Sequence, residues 1–334
     1  MMLTGRGQAG GQIGEHIARQ LVQTGRHSVT ALTRPGSKNI LPQGVKAVTV
    51  DYNDPKTLVD ALQGQQFLVI TLAVTAPPDT HSKLVQAAAK AGVPYVMPNV
   101  FGTDNDNKTL VKETPLTEDP SPMLDEIKAT GVSSAIPMVC GLWYEYSLIM
   151  GPIWYGFDFA QKKLTLYDDG NTKISTTTWE QCGRAVAALA SLKELPEDEA
   201  DKSPTVSHWR NKSLVVSSFL ISQRDMFDSW KRVTGDKDSD WTIEHESSKE
   251  RYQQGIGAMQ NAKDPLSERM GAAQASFVRI FYPNGGGDYE RTRGLDNHVL
   301  GLPKEDLDER TAVAKKMLDE EYSAKVLGRI RAAS

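Results

Sequence analysis

The sequence Leu3-Thr4-Gly5-Arg6-Gly7-Gln8-Ala9-Gly10-Gly11-Gln12-Ile13-Gly14 decides the fold. Within it, the segment 5–10 fits the G-x-G-x-x-G pattern of a dinucleotide-binding turn. Glycine lets the backbone approach a pyrophosphate closely, and a helix that follows points its N-terminal N–H groups at the anion. We therefore expect a cofactor turn that uses all the glycines of this stretch: Gly5, Gly7, Gly10, Gly11 and Gly14. The alternative is a mobile, glycine-rich N-terminal segment with no ligand.

The segments that follow the glycine run alternate between helix-like and strand-like patterns. Apolar residues recur at helical spacing at Ile13, Ile17 and Leu21, and Asp54-Pro55 and Gly64 bound a second predicted helix. Strands are predicted over 28–33, 45–50, 67–72, 95–97 and 133–139, and further helices over 81–91 and 124–130. This alternation is typical of an α/β fold with a Rossmann-type doubly wound parallel sheet.

Two domains are expected from the chain length. Residues 1–150 are assigned to an NAD(P)-binding Rossmann domain, and residues 151–334 to a smaller C-terminal α+β substrate-binding domain. A strand near 213–219 could rejoin the main sheet. The stretches 164–167 and 173–178 flank Asp169-Gly170, which predicts a β-hairpin.

Composition and charge exclude several classes of function. The net charge of −4 and the hydrophobic content of 39% are those of an ordinary globular protein, and they give no reason to expect a nucleic-acid or membrane partner. With only two cysteines, Cys140 and Cys182, no disulfide framework or zinc site is predicted, and no other spacing indicates a metal. We expect a cytoplasmic protein that is a monomer or a homodimer.

The segment after the second predicted strand indicates which dinucleotide is bound. An NAD site usually has an acidic residue there for the ribose 2′-hydroxyl, whereas this chain has Arg34, Ser37 and Lys38. A 2′-phosphate is a dianion that suits Arg34, with Lys38 or Ser37 in support. The sequence therefore favours NADP(H) over NAD(H), the alternative being an ordinary solvated basic loop.

Several later motifs, in their order and spacing, resemble one known family. They are Val50-Asp51-Tyr52-Asn53-Asp54-Pro55, Ala87-Ala88-Ala89-Lys90-Ala91-Gly92-Val93, Pro98-Asn99-Val100-Phe101-Gly102-Thr103-Asp104, Gly141-Leu142-Trp143-Tyr144-Glu145-Tyr146 and Gly301-Leu302-Pro303. The chain resembles the isoflavone reductase-like group of the NmrA-like, atypical short-chain dehydrogenases, which includes the phenylcoumaran benzylic ether reductases, and in particular its fungal-type branch. This resemblance implies NADPH as cofactor and hydride delivery to an aromatic or unsaturated small molecule. It also implies that Arg34 meets the 2′-phosphate and that Phe101 and Gly102 border the nicotinamide.

The sequence departs from the family at two positions. The family's first turn glycine is replaced by Gln8, although Gly11 and Gly14 match the last two glycines. The reductases carry a lysine that orients substrate or transfers a proton, and its position here is Pro120; Lys112 and Lys128 lie nearby, but not at that position. Proline cannot transfer a proton, so the family's catalytic assignment does not carry over.

The stretch from Trp143 to Phe159 is rich in aromatic residues, as a pocket for a planar apolar ligand would be. Trp143, Tyr144 and Tyr146 are the candidate substrate-binding residues, and Tyr144 is the candidate proton donor; a domain core of large side chains is the alternative. Glu145 is predicted to be an exposed charge rather than a proton acceptor. His81 is predicted to be a surface histidine on the cofactor side, and Cys140 to be an unreactive thiol near the site.

The leading hypothesis is an NADPH-dependent oxidoreductase that reduces a small aromatic or polyketide-like metabolite in secondary metabolism. Two alternatives remain open. One is an NmrA-like binding protein that senses NADP without turning anything over. The other is a non-redox isomerase or cyclase that uses the same pocket.

Overall fold

The computed structural model describes residues 2–4, 12–37, 40–73 and 76–331. In chain order, the strands are β1 (Met2–Thr4), β2 (Thr30–Thr33), β3 (Lys46–Thr49), β4 (Phe67–Ile70), β5 (Tyr95–Met97), β6 (Phe101–Gly102), β7 (Ser134–Ala135), β8 (Met138–Val139), β9 (Leu142–Trp143), β10 (Phe157–Asp158), β11 (Lys163–Tyr167), β12 (Ile174–Thr177), β13 (Leu214–Val215), β14 (Phe219–Ile221) and β15 (Thr242–Glu246).

The helices are, in the same order, α1 (Gln12–Gln23), α2 (Pro55–Leu62), α3 (Thr80–Lys90), α4 (Lys108–Glu113), α5 (Ser121–Ala129), α6 (Tyr144–Ile149), α7 (Trp179–Ala190), α8 (Gln223–Thr234), α9 (Ser248–Gln260), α10 (Pro265–Arg279), α11 (Tyr289–Arg293), α12 (Leu307–Asp319) and α13 (Tyr322–Arg331). The predicted helix at Asp54-Pro55 begins there, and α7 and α8 begin after capping residues of the same kind. Asp54, Thr178 and Ser222 each accept a backbone N–H of the first turn that follows them.

The first half of the chain forms a six-stranded sheet in the order β3-β2-β1-β4-β5-β7, with every neighbouring pair parallel. The chain leaves β1 toward β2 on one side and later returns to place β4 on the other side. The strand order therefore reverses between β1 and β4, where doubly wound folds bind their ligands. This sheet confirms the predicted Rossmann-type α/β class.

Helices cover both faces of the sheet. The four buried residues of β4 alternate between two clusters: Phe67 and Val69 face one, Leu68 and Ile70 the other. The first cluster also holds apolar residues of α1 and α7, and the second holds those of α2, α3 and α5. Because both faces of β4 are buried, its sequence is a continuous run of apolar residues. Since α7 comes after residue 150, the second half of the chain contributes to the packing of α1.

A close helix contact fixes α7 against α1. A Cβ atom built on Gly183 would lie 2.6 Å from the carbonyl oxygen of His16. Only glycine allows the two backbones to approach this closely. The position of α1, which begins directly after the glycine run, therefore depends on α7.

Short sheets organise the rest of the second half around a third cluster of aromatic and aliphatic side chains. The predicted hairpin is wrong: β11 pairs with β10 and β15, whereas β12 pairs with β9 and β14. The turn at Asp168 (φ 55°) and Gly170 (φ 74°) directs the chain out of one sheet and into another. Residues 214–215 form β13, which pairs with β8 in a small sheet with β6 and lies outside the six-stranded sheet.

The C-terminal segment returns to pack on both parts of the molecule. It forms two helices, α12 and α13, which are separated at Glu321, whose φ is 55°. Met317 and Tyr322 contact the first and third clusters. The end of the chain thus joins the Rossmann layers to the second half.

Candidate cofactor and substrate site

The site lies at the carboxyl edge of the six-stranded sheet. Residues 71–73 follow β4 and Pro98 and Asn99 follow β5, so both loops emerge beside the point where the strand order reverses. The Asn99 side chain joins the two loops, since its Oδ1 accepts from Leu72 N at 3.0 Å and its Nδ2 donates to Leu72 O at 3.3 Å. Sequence reasoning did not single out Asn99, because its partner is 27 residues away along the chain.

The predicted cofactor residues are only partly within the described chain. Gly5, Gly7, Gly10, Gly11 and Lys38 lie outside the described residues, so their role stays a prediction. Gly14 is buried in α1, the helix whose N-terminus follows the glycine run. Arg34 is exposed directly after β2, and its carbonyl oxygen accepts Ser37 N at 3.1 Å in a turn. A cation at this place, with no acidic residue beside it in the sequence, fits a 2′-phosphate.

His81 is buried rather than exposed, contrary to the sequence prediction. It lies in the first turn of α3, after the loop that follows β4, and only 7% of its surface is exposed. Neither ring nitrogen has a hydrogen-bond partner among the described residues. Burial lowers the pKa of His81, against a smaller opposing effect of Glu126, so the imidazole is neutral. A buried polar group without a partner at this edge is consistent with a site that a polar ligand completes.

The structure brings Phe101 and Gly102 beside the segment that leads to Trp143. Both residues are half-buried and form β6, which pairs with β8. The carbonyl oxygen of Gly102 accepts the backbone N–H groups of Cys140 and Gly141, both at 2.9 Å. Gly141 has a φ of 61°, and a Cβ there would lie 2.3 Å from Ser175 O. Glycine is therefore required where the chain passes from the Rossmann sheet to the aromatic segment.

Two of the predicted substrate residues belong to a group of rings that we call the aromatic group: His16, Trp143, Tyr146, Trp179 and Tyr322. The Trp179 ring is central, with centroid distances of 5.5 Å to His16, 5.9 Å to Trp143, 5.6 Å to Tyr146 and 6.1 Å to Tyr322. Trp143 and Tyr146 are half-buried. Trp179 was missed in the sequence because it lies 36 residues after Trp143, at the start of α7.

The aromatic group lies close to the expected cofactor. His16 is four residues after Gln12, the first residue of α1, which corresponds to about 6 Å along a helix. Burial lowers the pKa of His16, with Arg19 and Arg310 acting in the same direction and Glu15 and Glu180 opposing it. A ligand on these rings would therefore lie next to the helix terminus expected to face the pyrophosphate.

Tyr144 does not share the surroundings of its neighbours. Its side chain is completely buried in the third cluster, its ring packs edge-on against Phe219, and its hydroxyl is 2.6 Å from Thr311 Oγ1. Burial raises the pKa of Tyr144, which makes the phenol a poorer acid. The structure thus places the Tyr144 hydroxyl in a structural hydrogen bond, which speaks against its predicted roles as proton donor and substrate-binding residue.

Glu145 is buried, and the prediction of an exposed charge is wrong. Only 3% of its surface is exposed, and its Oε2 has no hydrogen-bond partner within the described ranges. Burial raises the pKa of Glu145 to about 8, and nearby Glu305 acts in the same direction. The Arg310 guanidinium and the backbone N–H groups of Glu145 and Trp179 oppose the shift but do not overcome it. Glu145 is therefore largely a neutral carboxylic acid at pH 7.

Glu305 lies close to Glu145 and is fully paired. Its Oε2 accepts from Thr178 Oγ1 at 2.8 Å and from Ser218 Oγ at 2.5 Å, and its Oε1 is 3.0 Å from Arg184 Nη1. Arg310 Nε lies 3.4 Å from the same Oε1. Glu305 thus acts as a structural charge, and Glu145 is the carboxyl whose hydrogen bonds are incomplete.

The two cysteines and the lysines near Pro120 are not placed as reactive groups of the candidate site. Cys140 and Cys182 are both fully buried, and burial, together with the neighbouring Cys140 thiol, raises the pKa of Cys182. Pro120 precedes the first turn of α5 as its N-cap, and neither Lys112 nor Lys128, both exposed, occupies its place. The Lys108 ammonium donates to Ser121 Oγ at 3.0 Å, next to Pro120.

Among the described residues, no group of three or more His, Cys, Asp or Glu side chains is arranged to hold a metal ion. Within the same ranges, no helix has the length and apolar character needed to cross a membrane.

Comparison with known proteins shows what the chain is similar to. Residues 9–132 match the NAD(P)H-binding family model. The oxidoreductase aprR of Aspergillus flavus is 26% identical over 305 residues, which cover 90% of this chain and 94% of that protein. The solved structure of AtPrR2 with NADP+ and (+)pinoresinol superposes with a TM-score of 0.70 at 18% identity, over 94% of this chain and 98% of that one. An isoflavone reductase structure superposes with a TM-score of 0.64 at 18% identity, over 93% of this chain and 98% of that one. Residues 9–132 are therefore similar to the NAD(P)H-binding family, and the chain has the fold of the AtPrR2 and isoflavone reductase structures.

Proposed function

We propose that this chain is an NADPH-dependent reductase of a small aromatic or polyketide-like metabolite. The observation that carries the proposal is the aromatic group, which lies about one helical turn from the start of α1, the helix inside the NAD(P)H-binding segment. A planar substrate would pack on the half-buried rings of Trp143 and Tyr146. The relatives named as reductases and oxidoreductases support the same class of reaction.

We propose NADPH rather than NADH because of Arg34. Its exposed guanidinium follows β2 at the place where an NAD site usually has a carboxylate. The glycines at 5, 7, 10, 11 and 14 would hold the pyrophosphate, Lys38 would support Arg34, and Phe101 and Gly102 would border the nicotinamide.

Calorimetric titration of NADPH and NADH tests this preference. We expect Arg34→Ser to weaken NADPH binding by about tenfold or more, because a charge-assisted hydrogen bond contributes roughly 1.5–3 kcal/mol, and to leave NADH binding unchanged. Arg26→Ser is the matched control, since Arg26 is equally exposed but lies before β2, at the opposite edge of the sheet. Equal losses for both cofactors would contradict the assignment of Arg34 to the 2′-phosphate.

Pro120 favours a second candidate function, an NADP-sensing binding protein without turnover. The buried proline caps α5 at the family's lysine position and offers no proton.

Oxidation of NADPH with a panel of aromatic ketones, enones and quinones separates the reductase from the NADP-sensing protein. A reductase turns over at least one class of acceptor, whereas a sensor binds NADPH and oxidises none. A chain that turns over an aromatic substrate without binding either nucleotide would instead be the isomerase or cyclase.

A further inference from the structure

Near the start of α7, Arg310 Nε has no hydrogen-bond partner among the described residues but lies 3.4 Å from Glu305 Oε1 in an ion pair. Three further buried polar atoms there have neither a hydrogen-bond partner nor an ion pair within the described part of the chain. They are Glu145 Oε2, Trp143 Nε1 and Trp179 Nε1. The two indole rings are 5.9 Å apart, and the backbone N–H of Trp179 favours the charged form of the Glu145 carboxyl. Each buried polar atom that stays unpaired costs about 1–3 kcal/mol of folding free energy. These three atoms lie close together, one on Trp179 and the others on residues beside it, and they require an explanation.

The ion pairs near the start of α7 do not supply partners for these three atoms. The neighbouring carboxylate, Glu305, has two hydroxyl donors and two guanidinium groups within 3.4 Å. The two arginines of that network reach Glu305 and Glu180, and none of the ion pairs between described residues includes Glu145. Glu145 is thus left out of the network that surrounds it.

The environment of Glu145 also keeps its proton in place. The titratable and charged groups whose fields reach it are Tyr144 on its own helix, Tyr155 in the following segment, Cys182 on α7, and Glu305 and Arg310 in the C-terminal segment. Only Arg310 is a cation, and burial outweighs it, so the pKa of Glu145 is about 8. A carboxylic acid of this strength can donate a proton at neutral pH.

We propose that Glu145, Trp143 and Trp179 form a hydrogen-bonding site for an acceptor oxygen of the aromatic substrate, and that Glu145 is the proton donor of its reduction. This inference rests on the proposed reductase function. The indole N–H groups are donors only, so they select an oxygen that accepts, as in a ketone, enone or quinone. Glu145 thereby supplies the proton that Pro120 cannot supply.

The step balances with the cofactor of the proposed function. NADPH supplies a hydride when it is bound. The substrate carbon gains that hydride with its electron pair while the O–H bond of Glu145 breaks and its proton moves to the substrate oxygen. Glu145 is left as a carboxylate and recovers a proton from water. The substrate is thereby reduced by two electrons, and the carboxyl is unchanged after one cycle.

The first test measures binding without any cofactor and uses 1,4-naphthoquinone as the probe. Infrared spectra of the complex should show the quinone carbonyl stretch at lower frequency than in water-free solvent, as expected for an oxygen that accepts hydrogen bonds. Trp143→Phe and Trp179→Phe should each weaken binding by about three- to tenfold, the value of one hydrogen bond. Glu145→Gln should bind within about threefold of the wild type, because its amide still donates. An unshifted carbonyl, or unchanged affinity in both Trp variants, would overturn the binding site.

The second test measures naphthoquinone reduction by NADPH against pH. Wild-type kcat should fall as pH rises above about 8, when the donor loses its proton. Glu145→Gln should lower kcat by about 100-fold or more, with little change in KM and no fall at that pH. Glu244→Gln, on an exposed position of β15, is the matched control and should keep the wild-type profile.

The outcomes separate this inference from the proposed function. If the wild type oxidises NADPH and Glu145→Gln does so with the same kcat and pH profile, Glu145 is not the donor, and the reductase function stands. If the wild type binds NADPH and naphthoquinone but never transfers a hydride to any acceptor, the reductase function fails, and the proton donor fails with it. A protonated carboxyl band that titrates near pH 8 in wild-type infrared spectra, and is missing from Glu145→Gln, would support the donor independently of turnover.

Discussion

Two adjacent residues, Tyr144 and Glu145, have different surroundings although they are neighbours in the chain. The Tyr144 hydroxyl contacts Thr311 Oγ1, which also lies 2.7 Å from Ser229 Oγ and donates to Leu307 O at 2.9 Å. We expect Tyr144→Phe to lower the free energy of unfolding by about 1 kcal/mol and to leave kcat unchanged, because Thr311 keeps its other partners. Urea unfolding and NADPH oxidation would measure the two effects. A large loss of kcat without a loss of stability would restore Tyr144 to the site.

Glu145 makes stability depend on pH in an unusual direction. In the unfolded chain its pKa is about 4.3, whereas in the fold it is about 8. Between these values the folded state binds more protons than the unfolded state, so wild-type stability falls by up to about 1.4 kcal/mol per pH unit from this group. Glutamine does not titrate. Urea unfolding should therefore show Glu145→Gln gaining stability relative to the wild type between pH 5.5 and pH 8. A difference that is the same at both values would contradict the raised pKa.

At this scale the sequence predicted residue types better than residue surroundings. It singled out Trp143 and Tyr146, which the structure joins in the aromatic group, but it could not separate them from Tyr144. Helix α6 has only six residues, too few to show an apolar periodicity, so nothing in the pattern indicated which side chains face inward. Glu145 was predicted to be exposed because charged residues are rarely buried, and the short helix gave no pattern that indicated otherwise.

At the scale of elements, the contact of α1 and α7 through Gly183 can be tested with a matched pair of substitutions. Gly183→Ala should lower the free energy of unfolding by about 1–3 kcal/mol, because the added methyl group overlaps the His16 carbonyl. It should also weaken NADPH binding by displacing α1. Gly257→Ala, inside α9 with no atom within 4 Å of the added methyl group, should raise stability by up to about 1 kcal/mol through helix propensity alone. Similar thermal shifts for both variants would show that the helices tolerate a wider separation.

Local signals predicted the elements well wherever a cap or a continuous apolar run was present. The helix after Asp54 begins where its capping residue indicates, and β5 has its predicted bounds. Local signals did not predict which strands pair with each other. The predicted hairpin failed because β11 and β12 find partners in segments that begin at Thr242 and Phe219, and no local pattern contains that information.

At the scale of the whole molecule, Glu305 holds the C-terminal segment against α7. It is 3% exposed and lies against two arginines, Thr178 and Ser218. We expect Glu305→Ala to cost about 1–3 kcal/mol, because Thr178, Ser218 and the two partly buried arginines lose a buried acceptor, although both arginines keep Glu180. Glu320→Ala, whose side chain is 61% exposed in the same segment, should change stability by less than about 0.5 kcal/mol. Thermal unfolding would measure both, and a small effect of Glu305→Ala would show that the segment is held by its apolar contacts alone.

The global architecture was the most predictable level, because strand–helix alternation restricts the topology to very few choices. The site was less predictable than the fold. Its rings come from α1, α6, α7 and α13 and the intervening β9, so they span positions 16 to 322 and meet only through tertiary packing. One sequence shows none of these contacts, although it contains every residue that makes them.

The central position of β1 has a consequence for the order of synthesis. This strand is made before every other described strand, yet it pairs with β2 at Thr30 and with β4 at Leu68. A chain that leaves the ribosome from its N-terminus can therefore pair β1 with β2 early, but the other side of β1 stays unpaired until β4 has emerged. Assembly of the nucleotide-binding edge is complete only when α7, more than 100 residues later, reaches α1.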